Sequence, residues 1–249
     1  MNDLTPSPPS ATPPPTPKGL LIIDKQQKFT SMDVCAILRT RLRRGGAPKR
    51  IKVGHAGTLD PLATGVLVVL IGKATTLVPR YMAAEKEYET TIDLSRLSTT
   101  DDLGGELTDV PIAQIPTRPA IDAAIARFIG TIQQTPPQYS AMRIGGRRAY
   151  EMAREGEVAP LQPRPVTIHE IDVLAYDWPS LTLHIRCGKG VYIRSLGRDL
   201  GAALGVGGVL AALRRTRVGD FGVTHARRLD ELPDVLRQEQ LLPVPGLAD

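Results

Sequence analysis

The sequence feature that most limits the possible folds is an uninterrupted apolar run at residues 66–71, which contains only Val, Leu and Ile. A run of this length that ends at a glycine, here Gly72, predicts a strand buried on both faces. A shorter apolar run at residues 20–23 predicts another buried strand. The chain is therefore expected to fold around a sheet whose central strands are covered on both sides.

Helices and further strands alternate irregularly along the rest of the chain. Thr30 and Asp33 match the [ST]-x-x-[DE] signal for a helix start, and apolar residues follow at helical spacing as far as Leu42. Strict alternation predicts half-buried strands at residues 87–94 and 181–186, whereas helical spacing predicts helices at residues 121–129 and 193–204. Without a regular βα repeat, this mixture favours an α+β fold over a doubly wound parallel sheet.

Two segments differ from this pattern. Seven of the first seventeen residues are proline, and the others are mostly small or polar, so residues 1–18 are predicted to be a disordered tail before a single domain at 19–249. Residues 135–156 are rich in Pro, Gly, Arg and Tyr and have only a short helical pattern. This composition predicts a segment that projects from the domain.

The distribution of charge indicates the class of partner. Lys and Arg outnumber Asp and Glu by 31 to 26, and the isoelectric point is near 9.4. Residues 39–52 contain seven basic side chains and no carboxylate, and a second basic cluster lies in the projecting segment, at Arg143, Arg147, Arg148 and Arg154. Either cluster alone is equally consistent with a solvated helix face. Together they favour a nucleic acid, and the projecting segment is then expected to contact RNA.

Other function classes find no support in the sequence. Gly72 and Lys73 resemble the end of a phosphate loop, but Leu67 stands where that motif needs glycine and Ala74 where it needs Ser or Thr. The four histidines are dispersed, and no G-x-S-x-G elbow occurs. No apolar run reaches the roughly 18 residues of a membrane helix, and no export signal precedes the domain, so a cytoplasmic location is expected. Cys35 and Cys187 form no CxxC pair and are predicted to be buried hydrophobes.

The loop at residues 54–65, with the sequence GHAGTLDPLATG, carries the densest group of reactive side chains. It places His55, Thr58 and Asp60 close together just before the buried strand, and loops on a rigid scaffold commonly carry catalytic groups. Asp60 and Pro61 are also typical of a simple turn. The local chemistry leaves both interpretations open.

Five segments together resemble one family. The string GHAGTLDPLATGVL is similar to the nucleophile motif of the TruB family of pseudouridine synthases, and four further segments follow in the family's order: KEY at 86–88, PQYSA at 137–141, KGVYIRS at 189–195 and LRRT at 213–216. The resemblance covers roughly residues 19–232. It implies a mixed, largely antiparallel sheet flanked by helices, and an enzyme that isomerises uridine to pseudouridine in RNA. That reaction involves no redox change, so no cofactor and no metal are implied.

The resemblance also implies roles for individual residues. Asp60 matches the nucleophile, and Arg194 matches the arginine that pairs with it. Tyr88 matches the tyrosine that stacks on the target base, and a phenol there could also relay a proton. Alternation along the chain predicts that Tyr192 and Arg194 lie on the same face of a strand.

Three more residues are expected to bind the substrate. His55 matches the histidine that shapes the loop where the flipped nucleotide lies, and Leu213, like Tyr192, matches a position lining the uridine pocket. Asp102 matches an acidic residue near the flipped bases, although Asp101 beside it is an alternative. The family's early Lys-Pro-x-Gly loop is Lys25-Gln-Gln-Lys28 here, so that loop is expected to lie differently.

The implied substrate is the T-arm stem-loop of tRNA, where the family modifies the uridine at tRNA position 55. Many relatives continue into a C-terminal RNA-binding domain of the PUA type, and this sequence is expected to act without one, as a monomer. Two other functions stay open at this level. One is a non-catalytic RNA-binding protein or tRNA chaperone in which Asp60 is only a turn residue, and the other is a synthase of the same fold acting on a different RNA.

Overall fold

The computed structural model describes residues 16–140 and 142–244. Residues 1–15 of the expected tail therefore lie outside the described part. The strands of the main sheet are β1 (Gly19–Lys25), β2 (Val53–His55), β3 (Thr64–Ile71), β4 (Lys86–Asp93), β7 (Gly130–Gln134), β10 (Arg164–Asp177), β11 (Ser180–Cys187), β12 (Val209–Val218) and β13 (Phe221–Gly222). Two small ribbons contain β5 (Arg96–Ser98) with β6 (Leu107–Asp109), and β8 (Arg143–Ile144) with β9 (Arg147–Arg148).

The main sheet has the order β1-β3-β12-β4-β11-β10-β7, with β2 added to β3 and β13 to β12. Its pairs are antiparallel except for β3 and β12, which run parallel. The helices are α1 (Ser31–Arg44), α2 (Val78–Ala83), α3 (Arg118–Ala126), α4 (Ala149–Arg154) and α5 (Ile193–Leu204). The predicted α+β class, with a largely antiparallel sheet flanked by helices, is confirmed.

Burial on both faces explains the continuous apolar run of β3. Leu67, Val69 and Ile71 point into the larger core, which also contains the apolar faces of α1, α3 and α5. Val66 and Val68 point into a second core, on the other side of the sheet, together with Tyr81 of α2 and residues of β1. Since neither face of residues 66–71 meets water, no position in that run selects a polar residue.

Helix α1 begins where its capping signal predicts. The Thr30 hydroxyl accepts a hydrogen bond from the Asp33 N–H, and the Asp33 carboxylate accepts one from the Thr30 N–H. These two bonds satisfy backbone donors that the first helical turn leaves free. Along the buried face of the helix lies Cys35, and Cys187 is buried at the end of β11, so both cysteines are buried as predicted.

Strand β10 was not predicted. It is fourteen residues long, but its pairing with β11 shifts register between Ile168 and Glu170 and again between Val173 and Ala175. Each irregularity interrupts the alternation of apolar and polar residues, so the sequence has no clean period of two. The strand also passes from a covered to a solvated part of the sheet, and its last residues are mostly exposed.

The segment at residues 135–156 has two parts in the structure. Residues 135–140 contact the start of α5, and Pro136, Pro137 and Ser140 among them are buried while the other three are half-buried. Beyond them the chain forms the β8–β9 ribbon and the short helix α4. In the part of the chain that the structure describes, every helix is too short or too polar to span a bilayer.

Candidate active site

The loop at residues 54–65 is held in place by the elements around it. The buried Ser31 hydroxyl of α1 donates to the Leu59 carbonyl at 3.1 Å and accepts from the Leu59 N–H at 2.8 Å. Gly65 has φ +100°, and a Cβ there would lie 2.1 Å from the Arg215 carbonyl oxygen of β12. Only glycine allows the loop to enter β3 this close to β12. These contacts therefore fix the backbone of the loop that carries Asp60.

Asp60 and Pro61 do form a turn, but the aspartate side chain takes no part in closing it. The Ala63 N–H donates to the Asp60 carbonyl oxygen at 3.0 Å. The Asp60 carboxylate instead faces Arg194, with 2.9 Å between its Oδ2 and the Arg194 Nη2. A turn alone does not explain this placement, because the carboxylate makes a contact across the fold rather than within the loop.

Arg194 lies in the first turn of α5, and its guanidinium is almost completely buried. Besides Asp60, it contacts the backbone carbonyls of Tyr139 (2.9 Å) and Thr100 (3.1 Å), and its Nη1 lies 3.7 Å from the Asp102 carboxylate. The expectation that Tyr192 and Arg194 share a strand face is wrong. Tyr192 is the N-cap of α5 and Arg194 is helical, because the backbone changes from extended to helical between them.

The ion pair of Asp60 with Arg194 lies in a low-dielectric environment. Burial raises the pKa of the Asp60 carboxyl above its ordinary value, and the nearby Asp102 adds to the rise, whereas Arg194 and Lys25 favour the ionised form and act against it. The Asp60 side chain nevertheless remains about one-third exposed. Its ionisation is thus balanced between an unfavourable site and the charge of Arg194, while one side stays accessible to a ligand.

That accessible side opens into a cleft of about 530 Å³. The cleft brings together five of the predicted site residues: Asp60, Tyr88, Tyr192, Arg194 and Leu213. Its volume lies within the usual range for small-ligand pockets, roughly 300–1,000 Å³. Arg164 and the exposed Lys189 contribute positive charge to its walls.

Two predicted site residues, His55 and Asp102, do not line the cleft. His55 ends β2, and its Nδ1 is buried with no hydrogen-bond partner among the described residues, while burial lowers the pKa of its imidazole. Asp102 is buried beyond Arg194, and its carboxylate also accepts from the Thr100 hydroxyl at 2.6 Å and the Gly104 N–H at 2.9 Å. Asp101 turns the other way, towards Arg198 at 2.8 Å.

Tyr88 lies on β4 beside a residue that sequence reasoning missed. Arg215 of β12 is 1% exposed, donates to the carbonyls of Val66 (2.7 Å) and Gly57 (3.0 Å), and lies opposite Tyr88 in the pairing of β12 with β4. Burial raises the pKa of the Tyr88 phenol, and the charge of Arg215 opposes that rise. Arg215 belongs to the LRRT segment, but its pairing with β4 depends on the sheet order and cannot be inferred from sequence spacing.

A second residue without a predicted role is Lys25, at the end of β1. Its ammonium is buried, donates to the carbonyls of Gln26 (3.1 Å) and Phe29 (2.8 Å), and has a pKa lowered by burial to about 8. Lys28 adopts φ +73°, a left-handed conformation that favours glycine, and its N–H donates to the Pro61 carbonyl at 2.9 Å. The loop that lacks the family's glycine therefore still makes a glycine-like turn against the Asp60 loop.

The basic run at residues 39–52 is divided between structural and exposed side chains. Arg39 donates to the Val53 carbonyl, Arg41 to those of Leu229 and Leu232, and Arg43 to that of Lys49. Arg43 is nevertheless exposed, as are Arg44, Lys49, Arg50 and Lys52. Of the second cluster, Arg147 forms ion pairs with Glu155 and Glu157, and the side chains of Arg143, Arg148 and Arg154 lie outside the described part.

Comparison with known proteins decides the family. Residues 43–193 match the model of the TruB family pseudouridylate synthases (N terminal domain), and residues 194–244 match that of the tRNA pseudouridylate synthase B C-terminal domain. The chain belongs to the TruB family. It is therefore an enzyme, a pseudouridine synthase. The ion pair between Asp60 and Arg194 joins the two matched regions, because the second begins at Arg194 itself.

Curated TruB relatives align over most of this chain. The tRNA pseudouridine synthase B of Streptomyces avermitilis is 46% identical over 239 residues, which cover 92% of this chain and 76% of that protein. The protein of the same name from Thermobifida fusca is 49% identical over 222 residues, with 86% and 74% covered. Among solved structures, one chain of a Cbf5–Nop10–Gar1 complex is 31% identical to this chain, with a TM-score of 0.60. The match covers 50% of that chain.

Proposed function

We propose that this TruB family enzyme isomerises one uridine in the T arm of tRNA, at position 55 of the TΨC loop, with Asp60 as the nucleophile. The observation that carries the proposal is the Asp60 carboxylate, paired with buried Arg194 at 2.9 Å and open on one side to the cleft. Relatives that share 46–49% of their residues with this chain are named as tRNA enzymes, which supports tRNA as the substrate.

The reaction breaks the N1–C1′ glycosidic bond, turns the uracil, and forms a C5–C1′ bond. Asp60 either attacks C1′ as uracil departs or adds to the pyrimidine ring, and in both cases the carboxylate is released when the new bond is complete. The proton on C5 then leaves and N1 gains a proton, so atoms balance without a cofactor. Arg194 keeps the carboxylate anionic and aimed at the cleft, against the effect of burial.

Within a folded RNA arm the uridine cannot reach Asp60 unless it is flipped out of its stack, which costs a few kcal/mol. Tyr88, with Leu213 and Tyr192 on other walls of the cleft, offers aromatic and apolar surface that offsets this cost. The raised pKa of the Tyr88 phenol keeps it protonated in the free enzyme. It is then suited to stacking and hydrogen bonding, and accepts the C5 proton only through a relay.

Substitutions at Tyr88 are expected to separate the ring from the hydroxyl. Tyr88→Phe retains the stack, so tRNA affinity stays within about threefold, whereas kcat falls on the order of 10²-fold if the hydroxyl takes part in proton transfer. Tyr88→Ala also loses the stack, worth about 1–3 kcal/mol, so affinity falls by roughly ten- to a hundredfold. Single-turnover rates and equilibrium binding provide both values. Equal affinities for the two variants would exclude stacking as the role of this ring.

The proposed substrate is tested by incubating the enzyme with unmodified tRNA and mapping pseudouridine chemically. Conversion of one T-arm uridine is expected, and a transcript with cytidine at that position is the matched control. Tight binding without conversion would show that the T-arm uridine is not the target. The same mapping on total RNA would reveal a different target, if uridines outside tRNA are converted.

An isolated T-arm hairpin is expected to be nearly as good a substrate as whole tRNA. The exposed basic residues at 44–52 and the cleft-wall charges of Arg164 and Lys189 can surround one stem-loop, and phosphate contacts of this kind dominate affinity. Raising the salt concentration should therefore weaken binding of both RNAs to a similar extent. The measurement is kcat/KM for both at two salt concentrations. A hundredfold preference for whole tRNA, about 2.7 kcal/mol, would contradict the prediction.

A further inference from the structure

The side chain of Gln134, the last residue of β7, holds the backbone of Tyr192 from both sides. Its Oε1 accepts from the Tyr192 N–H at 2.8 Å, and its Nε2 donates to the Tyr192 carbonyl at 3.1 Å. Gln134 is 1% exposed and is not part of the cleft wall. We call this pair of hydrogen bonds the amide clamp. The Gln134 side chain thus makes the two backbone hydrogen bonds that a neighbouring strand would otherwise make.

The amide clamp acts where α5 begins. Tyr192 is the N-cap of that helix, with an extended backbone (φ −102°, ψ 113°) and no capping hydrogen bond from its own side chain. Where no side chain caps the start of a helix, other contacts have to fix the direction in which the helix begins. The clamp fixes the peptide groups on both sides of the Tyr192 Cα, and Arg194 follows two residues later. The direction in which the Arg194 guanidinium leaves the helix is thus set close to the clamp.

The residues after Gln134 hold the same helical turn. The Thr135 carbonyl accepts from the Ser195 hydroxyl at 2.8 Å and from Arg198 at 3.0 Å, and the Tyr139 carbonyl accepts from Arg194 at 2.9 Å. Residues 134–139 therefore contact the start of α5 at three positions. Among these contacts, the amide clamp is the one made by a side chain of this segment, so substitution can remove it without altering the backbone.

We propose that Gln134 is a positioning residue that sets Tyr192 and Arg194 in the arrangement needed for uridine isomerisation. It touches neither the cleft nor Asp60, and it acts through the Tyr192 backbone. The inference rests on the proposed roles of Asp60 and Arg194. Its consequence is that the chemical step, more than RNA affinity, depends on a neutral amide at position 134, since the phosphate-binding surface lies elsewhere.

The chemistry of the clamp requires one donor and one acceptor at the same end of the side chain. Glutamine provides both, methionine of similar length provides neither, and glutamate provides both only when protonated. In a Gln134→Glu variant, the ionised carboxylate could accept from the Tyr192 N–H but would repel its carbonyl. Burial at this position favours the neutral carboxyl. Three arginines favour the ionised carboxylate: Arg164, the strand partner of Gln134 on β10, and Arg194 and Arg198 on α5. The two helix arginines are themselves paired with Asp60 and Asp101.

The decisive experiment compares Gln134→Glu with wild type across pH 5.5–8.5, using the single-turnover rate on saturating T-arm RNA. At pH 8 the Gln134→Glu variant is expected to be at least 30-fold slower than wild type. The difference should shrink as pH falls, because protonation of the glutamate restores the hydrogen-bond donor. Taking the ratio of the two rates removes the part of the Asp60 titration that the two proteins share. Gln134→Met should be slowed at least 30-fold at every pH, with RNA affinity within threefold of wild type.

Gln133→Glu is the matched control, since Gln133 precedes Gln134 on β7 but is exposed. Its rate ratio should stay near one at every pH. Thermal melting checks that the variants are folded, and if Gln134→Met does not fold, the pH dependence of Gln134→Glu decides alone. A purely structural role would lower Tm and leave the rate of the folded fraction unchanged.

The proposal is overturned if both Gln134 variants turn over within threefold of wild type at pH 8, or if the Gln134→Glu variant is slowed equally at pH 5.5 and pH 8. It is also overturned if the loss lies in RNA affinity and not in the rate. Failure of the proposed function gives a different result, because Asp60→Asn would then remain active. An active Asp60→Asn refutes the mechanism, whereas an inactive one with insensitive Gln134 variants refutes the amide clamp alone.

Discussion

Asp60→Asn is expected to abolish turnover while leaving tRNA binding within about threefold of wild type. The asparagine Oδ1 can still accept from Arg194 and so preserves the shape of the loop, but a neutral amide cannot act as the nucleophile. Loss of the single-turnover rate by a factor on the order of 10⁴ corresponds to about 5.4 kcal/mol of transition-state stabilisation. Pseudouridine formation and equilibrium binding measured on the same tRNA separate these effects.

The control for this substitution is Asp122→Asn. Asp122 is also paired with an arginine, Arg118 at 2.9 Å, but both lie on the exposed surface of α3. Its activity should equal that of wild type. If Asp60→Asn retains a rate within tenfold of wild type, Asp60 is not the nucleophile, and its carboxylate would serve only to hold Arg194 in place.

Removal of Arg194 is expected to change both the rate and its dependence on pH. Burial already raises the pKa of Asp60, and the arginine is the largest influence in the opposite direction, so Arg194→Ala should raise that pKa further. The active carboxylate is lost as pH falls through its pKa. The acid limb of the pH–rate profile should therefore move to higher pH, and each unit of movement reduces the rate at low pH by a further factor of about ten.

This prediction is tested by pH–rate profiles of wild type and Arg194→Ala over the pH range in which both proteins stay folded. Arg194→Lys is a second variant that keeps the charge but loses the planar fork, so its acid limb should move less while its rate still falls. Arg186→Ala is the control, because Arg186 also contacts two carboxylates, those of Glu85 and Glu170, but lies outside the cleft. A profile for Arg194→Ala that runs parallel to wild type would show that the ion pair does not control Asp60.

Removing Arg194 also has a structural cost, which has to be measured separately. The carbonyls of Thr100 and Tyr139 would each lose a buried hydrogen-bond donor, at about 1–3 kcal/mol per group. A lower Tm for Arg194→Ala is therefore expected, together with the change in the pH profile. The pH shift is the diagnostic result, because loss of stability alone changes the amount of folded enzyme and not the ionisation of Asp60.

Local sequence signals were sufficient to predict several of the elements. The buried run of β3, the capping box of α1 and the apolar face of α5 each depend on residues within a few positions of one another, so periodicity and capping chemistry were enough. The family resemblance pointed to Asp60 and Arg194 for the same reason, since each belongs to a short continuous motif. Strand β10 escaped because its bulges break the alternation on which such predictions rest.

How these motifs meet depends on the packing of the strands and helices. Sheet order brings β12 between β3 and β4, which places Arg215 opposite Tyr88 on the neighbouring strand and beside the loop that carries Asp60. The backbone turn at Tyr192 puts Arg194 on a helix rather than on the strand that alternation suggested. Hydrogen bonds between residues 55–60 positions apart, such as that of Gln134 with Tyr192, leave no periodic trace in the sequence. Contacts of this kind depend on the packed fold, because the burial that makes them strong exists only after the strands and helices have assembled.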